Sequence, residues 1–251
     1  MKIAIIGKGN VGSHLYEALR ISKDNLINII DSRSLAGLED HGFDLLVIAV
    51  SDSAINAVAS SINRLYPHLE SVVVHTAGSV SMDILSPYFK NYGVLYPLQT
   101  FSKSIPISSY EEIPVFVEGN NEISYQIIKQ TAADIFRNIY PLDSRNREVL
   151  HLASVFACNF VNALYCISED ILTSEGIPFN VAHALISQTA SKVLTHSPQQ
   201  CQTGPAVRND VKVMEKHLEL LKKMNHDSEL STLYKLISNY IIRSHREQNR
   251  L

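Results

Sequence analysis

The chain has no tryptophan and only three cysteines in 251 residues. Cys158, Cys166 and Cys201 lack metal-ligand spacing and leave an odd thiol. That fits a reducing cytoplasm better than a disulfide framework and gives no reason to expect a metal. Surplus charge is scarce as well: 22 basic against 25 acidic side chains leave a net charge of −3. With no basic excess, the electrostatic case for nucleic acid or an anionic membrane surface disappears. No uninterrupted apolar run reaches the ~18–20 residues that a bilayer crossing takes. No secretory leader is visible either, because Met1-Lys2 runs into strand-like residues and Gly7 breaks the apolar stretch early. The expectation is a cytoplasmic protein without nucleic-acid or membrane partners. Hydrophobic residues at 45% and charged residues at 19% are those of a globular chain, long enough for one large or two small domains.

The strongest signal lies at the start. Lys2 to Ile6 is a short strand-like run, followed at once by Gly7-Lys8-Gly9-Asn10-Val11-Gly12. Ser13 to Arg20 then has helical spacing, and Leu26 to Ile30 is a second apolar run ending in Asp31-Ser32-Arg33-Ser34. Strand, glycine turn, helix, strand is the βαβ unit that holds a dinucleotide. Gly7 lets the chain turn off the strand, Gly9 lets a pyrophosphate approach the backbone, and Gly12 lets the helix pack close. The helix N-terminus offers unpaired N–H groups and partial positive charge to phosphates.

The end of the second strand bears on which dinucleotide. An NAD site places an acidic side chain there for the ribose hydroxyls; an NADP site has small polar groups and an arginine for the 2′-phosphate. Ser32, Arg33 and Ser34 fit NADP, the expected cofactor. Asp31 keeps NAD as the alternative, should its side chain point into the site.

Asp44 to Val50 reads as a buried parallel strand. Ser51-Asp52-Ser53 ends it and can cap a helix from Ala54 to Leu65. Ligands of doubly wound sheets lie beyond the C-terminal ends of the strands, so Val50, Ser51 and Asp52 are candidate cofactor contacts. Ser71 to Val74 is the next strand, and Thr76 and Gly78 in the loop after it are candidates for the same reason. Met82 to Phe89 reads as a short helix, Gly93 to Tyr96 as a strand leading to Gln99 and Thr100, Ile113 to Glu118 as a strand, Glu122 to Phe136 as a helix and Asn138 to Tyr140 as a last short strand. The predicted class is α/β: a doubly wound, mostly parallel sheet over residues 1–143, then an all-helical domain over 144–251.

Four helical stretches are predicted in that second part: Ser144 to Glu175, Phe179 to Thr195, Pro205 to Met224 and Asp227 to His245. The first carries His151, Ser154, Cys158, Asn159 and Asn162. At ~100° per residue His151 and Asn162 share a face to within about 20°. A polar stripe on an apolar helix faces a cleft or is internally paired. Thr203-Gly204-Pro205 through Arg208-Asn209-Asp210 is the other polar cluster, where Arg208 is a candidate for holding a carboxylate.

Several of these features together resemble one family: the glycine turn, Ser-Arg-Ser after the second strand, His75-Thr76-Ala77-Gly78, the run from Leu95 to Ser102, His151-Leu152-Ala153 with Asn159-Phe160, and Thr203-Gly204-Pro205 with Arg208-Asn209-Asp210. The chain is similar to the bacterial Rossmann-like NADP oxidoreductases with an uncharacterised all-helical C-terminal domain. These are related in architecture to pyrroline-carboxylate reductase, ketopantoate reductase and the 6-phosphogluconate-dehydrogenase-like group. The resemblance implies a homodimer through the helical domain and an active site between the domains. Related hydroxyacid dehydrogenases place a lysine on the long helix, but none lies between Ser144 and Glu175. His151 is the natural substitute, since imidazole titrates near neutral pH.

The expected activity is hydride transfer between NADP(H) and a small carbonyl or imine compound, with or without a carboxylate. His151 would be the general acid, Asn159 and Asn162 would orient substrate or nicotinamide, and Arg208 would hold an anion. The alternatives are a non-enzymatic NADP(H) sensor and an oxidoreductase that pairs a deazaflavin with NADP.

Overall fold

The computed structural model describes residues 1–21, 25–35, 38, 42–224 and 228–248. Strand β1 (Lys2–Ile6) shows how the sheet is built. Its four apolar residues are all fully buried, because the odd and even positions face different cores. Ile3 and Ile5 join Leu15 and Leu19 of α1 (Asn10–Leu19), while Ala4 and Ile6 join Ile55 and Ile62 of α2 (Ile55–Leu65). A strand covered on both faces carries no polar alternation, which is why β3 (Leu45–Ile48) and β4 (Val72–His75) read as continuous apolar runs.

Among the described residues seven strands lie in the order β2-β1-β3-β4-β5-β6-β7, where β2 is Leu26–Ile30, β5 Tyr92–Pro97, β6 Val115–Gly119 and β7 Ile139–Pro141. Of the pairings between these strands, β5–β6 is antiparallel and the rest are parallel. Helix α3 (Glu122–Ala133) starts at Asn121, whose side chain accepts from the Ser124 amide at 2.9 Å. This is a Rossmann-type sheet followed by helices, the class read from the sequence.

The long helix is α4 (Ser144–Ser154), a π-helical segment (Val155–Phe160) and α5 (Val161–Ser174). Then come α6 (His183–Val193), α7 (Pro198–Cys201), α8 (Val211–Lys223) and α9 (Ser228–Gln248). The chain forms two compact units, 1–161 and 162–251. The change from strands to helices comes at Asp143, as read from the sequence, whereas the division into units falls inside the long helix.

Four local expectations change. Residues 82–85 form a single 3-10 turn in place of a helix. The stretch from Pro205 to Asp210 is a turn, in which Asn209 adopts a left-handed φ of 52°, so the helix expected from Pro205 begins at Val211 with Asp210 as its cap. Neither Ser51 nor Ala54 caps α2 with a side chain; the helix is entered through a 3-10 turn at Asp52–Ala54. Finally, Ser144–Ser174, 31 residues in all, is long and apolar enough to cross a membrane by length and composition. Scattered polar residues interrupt it, so no unbroken apolar run marks it in the sequence. Asp227, where the last helix was expected to begin, lies outside the described residues.

Candidate functional site

Helix α1 begins at Gly9, which offers no side-chain cap to the first turn. Its N–H groups are therefore left for another acceptor. Gly7 has a φ of +117°, and a Cβ there would lie 2.2 Å from the Ala49 carbonyl oxygen. A Cβ on Gly12 would lie 2.1 Å from the Gly7 carbonyl oxygen, so these two positions admit only glycine for internal reasons. Gly9 is different: a Cβ there meets nothing nearer than the Ala49 oxygen at 3.9 Å. No protein atom demands glycine at that point, and the open space above an uncapped helix start suits an anion. Asn10, beside it, accepts from the Lys103 amide at 3.3 Å.

Beyond β2, Arg33 turns onto Asp31. Its amide donates to Oδ1 at 2.9 Å, its Nε to Oδ1 at 3.2 Å and its Nη2 to Oδ2 at 3.1 Å. The guanidinium holds the Asp31 carboxyl down to about 2. Arg33 remains largely exposed, with Ser32 and Ser34 flanking it. The question that Asp31 raised in the sequence thus takes a definite form: its carboxylate is engaged by the arginine two residues on.

A cavity of about 530 Å³ lies at the C-terminal ends of β3, β4 and β5, against the long helix. Val11, Val50, Asp52, Thr76 and Gly78 line it with His151 and Asn159, all seven of them singled out from the sequence. Gln99, Thr100, Ser154 and Cys158 line it as well. Ser51 is exposed beside Asp52, and Gly7, Gly9, Asn10 and Gly12 flank Val11 in the glycine turn. Ser32, Arg33 and Ser34 are not among the lining residues, nor are Asn162 and Arg208. Asn162 opens the second unit, and Arg208 lies exposed on that unit's Pro205–Asp210 turn. Six π-helical residues separate His151 from Asn162. A turn closed by i→i+5 bonds advances less per residue than an α-turn, so the shared face computed for a regular helix does not hold.

Two residues that the sequence reading did not assign a role organise this cavity. Tyr96, at the end of β5, brings its hydroxyl to 3.1 Å from His151 Nδ1, and the two rings meet edge-on. Burial pushes the Tyr96 phenol up from its ordinary value, so it stays protonated. Arg147, one turn before His151, is fully buried. It pairs with Glu118 of β6 and donates from Nη2 to the Val80 carbonyl at 2.6 Å and to Ser144 Oγ at 3.1 Å. Ser144 in turn donates to Glu118 and receives the Met82 amide at 2.9 Å. This network ties the start of α4 to β6 and to the loop after β4, and so fixes where α4 presents His151. The signals were present: a tyrosine ending a strand, and an arginine four residues before a histidine on one helix face.

The loop after β4 is set by His75, which is fully buried. Its Nδ1 accepts from the Ala77 amide at 3.2 Å, and its Nε2 lies 3.3 Å from the Ser81 carbonyl oxygen. Burial first, and the nearby Arg147 charge second, pull its pKa down to about 4. A neutral ring with its proton on Nε2 satisfies both bonds. Ser79, farther along the loop, donates its hydroxyl to Asp52. Among the described residues no group of three or more His, Cys, Asp or Glu could hold a metal. The second unit has its own cavity of about 470 Å³, lined mostly by apolar residues of α5, α8 and α9, with Thr203, Ser238 and the hydrogen-bonded pair His217–Tyr234 among them. The first unit's cavity differs in lying at the C-terminal ends of the strands, where Asp52, Thr76, Gln99, His151 and Asn159 line it.

Residues 113–241 match the family described as a domain of unknown function, DUF2520. No curated protein sequence matches the chain. Among solved structures it is similar to "putative NADP oxidoreductase BF3122" from Bacteroides fragilis. That pair is 32% identical over 96% of this chain and 98% of the other, with a TM-score of 0.85. It is also similar to protein TM1727 from Thermotoga maritima, at 24% identity over 99% and 100% of the two chains, with a TM-score of 0.71. A reductive aminase from Aspergillus terreus, solved with NADPH and ethyl-5-oxohexanoate, shares the fold at 12% identity over 98% and 94%, with a TM-score of 0.68.

Proposed function

Because the chain belongs to the DUF2520 family, whose name assigns no reaction, we propose from its site that it is an NADP(H)-dependent oxidoreductase acting on a small carbonyl or imine compound. The observation that carries this reading is the uncapped, open start of α1 at Gly9 beside a cavity that holds a histidine–tyrosine pair. Val11 belongs to both, lying in the first turn of α1 and in the cavity wall. A relative 32% identical carries an NADP oxidoreductase name, which supports the cofactor.

In this reading Gly7, Gly9, Asn10, Val11 and Gly12 hold the pyrophosphate. Ser32, Arg33 and Ser34 take the 2′-phosphate, for which Arg33 exchanges Asp31 for a second anion. Val50, Ser51, Asp52, Thr76 and Gly78 serve the nicotinamide end. A bound nicotinamide supplies or accepts the hydride. The protein's own part is proton handling and orientation. His151 gives a proton to the heteroatom that gains charge during reduction, and the Asn159 amide orients substrate or the nicotinamide carboxamide. The cavity lining includes no lysine or arginine, so nothing in it anchors a substrate carboxylate. A neutral ketone or imine needs no such group.

The test is His151→Ala against a panel of small ketones, cyclic imines and their carboxylates. Loss of about 10²–10⁴ in turnover, the range typical of a general acid, with unchanged NADPH affinity is the expected result. Unchanged turnover removes His151 from the mechanism. Cofactor binding without turnover of any compound favours a sensor.

A further inference from the structure

We propose that Tyr96 is a positioning residue: its hydroxyl holds His151 through Nδ1 and so makes Nε2 the atom at which the ring exchanges protons with substrate. The inference rests on the reading of His151 as proton donor. It goes beyond that reading in naming the nitrogen and the residue that selects it.

The geometry is specific. Tyr96 Oη lies 3.1 Å from Nδ1. Nε2 of the same ring has no hydrogen-bond partner among the described residues, although His151 lines the cavity. Tyr96 has no other partner for its hydroxyl among them either, and it is only 9% exposed. A buried phenol that donated to nothing would leave an unsatisfied O–H, which costs free energy. The bond therefore runs from the phenol to Nδ1, and a neutral ring that accepts at Nδ1 carries its proton on Nε2.

A hydroxyl is also the partner that suits a ring whose charge changes. Toward neutral imidazole it donates; toward imidazolium its oxygen accepts the Nδ1–H. The ring keeps one orientation in both states while Nε2 gains or loses the proton. A carbonyl or carboxylate in the same place could only accept, and would fix the neutral ring in the Nδ1–H tautomer.

Gly78 makes the approach possible. A Cβ there would lie 2.6 Å from His151 Nδ1 and 2.8 Å from the Tyr96 ring. No side chain fits between the loop after β4 and this pair, so the glycine is required whether or not a cofactor is bound. Beneath it, the Arg147–Glu118 pair and the Val80 carbonyl hold the loop and the helix together. Tyr96 is in turn braced against Phe116 across the antiparallel β5–β6 pair.

The test is the nitrogen NMR spectrum of ¹⁵N-histidine-labelled full-length protein at a pH where His151 is neutral, with the His151 signals assigned from His151→Asn. In the unaltered chain Nδ1 should be pyridine-like and Nε2 pyrrole-like, the pattern of one tautomer. In Tyr96→Phe, which keeps the ring and removes the hydroxyl, both signals should move toward the values of a tautomer mixture. Gly78→Ala should do the same by forcing the pair apart, and it gives a second readout should Tyr96→Phe not fold. The buried His75 signals report folding in every variant. A pyrrole-like Nδ1 in the unaltered chain, or His151 signals unmoved in both folded variants, overturns the proposal. Unchanged turnover in His151→Ala would instead overturn the reading of His151 as proton donor, and the tautomer result would stand by itself.

Discussion

His75 shows how far a single side chain can be bound to one protonation state. Its ring is closed in by the Ala77 amide, the Ser81 carbonyl and the Arg147 charge, and its folded pKa is about 4. In the unfolded chain it returns to about 6.5. Between those values the unfolded state binds the extra proton, so stability falls as pH falls from about 6.5 to about 4 and levels off below. At 1.36 kcal/mol per pK unit the full effect is about 3 kcal/mol. Thermal unfolding scans should show a steeper loss of melting temperature between pH 6.5 and 4 in the unaltered chain than in His75→Asn, which does not titrate. Parallel slopes would mean that the ring is solvated and free to charge. The sequence placed His75 in a ligand-side loop but gave no sign of its pairing, because both partners are backbone groups and backbone looks alike at every position. Tyr96 stayed unassigned for a related reason. Its importance lies in a residue 55 positions away.

At the scale of elements, the first βαβ unit was legible almost residue by residue. Gly7 and Gly12 meet backbone oxygens that a Cβ would strike, while Gly9 leaves open space at the helix start. The parallel strands were legible because burial on both faces leaves an unbroken apolar run. Helix ends were less so. The turn from Pro205 to Asp210 looked helical because proline favours a first helical position, but the left-handed Asn209 ends that possibility locally. The π-helical segment left no trace in the residue types. Its Cys158 and Asn159 face the cavity, beside His151 and Ser154 of α4, which accords with the frequency of such segments at functional sites. Its consequence is that Asn162 no longer shares the face of His151.

At the scale of the whole molecule the exposed apolar surface stands out. The most apolar stretch of helix Ser144–Ser174 has no buried residue within the single chain. Val149, Leu152, Phe156, Phe160 and Leu164 on it are each between 41% and 62% exposed. A contiguous apolar face of this kind marks an interface. We propose that a second copy of the chain covers it, the homodimer that the family resemblance implies. Light scattering should give twice the mass of the 28.0 kDa chain, and Phe156→Glu with Phe160→Glu should shift it toward a single chain. A monomer that partitions into lipid vesicles would point to a membrane instead.

The proposed seat of nicotinamide adenine dinucleotide phosphate is the glycine turn with Arg33. The most direct measurement is calorimetric titration with NADPH and with NADH, on the unaltered chain and on Arg33→Ala. The chain has no tryptophan to report binding by fluorescence. NADPH should bind more tightly than NADH. Loss of one charge-assisted contact to the 2′-phosphate, worth about 1.5–3 kcal/mol, should weaken NADPH about 10- to 100-fold and leave NADH nearly unchanged. Absence of binding for both nucleotides would contradict the account at its base, and with it every role given to the cavity.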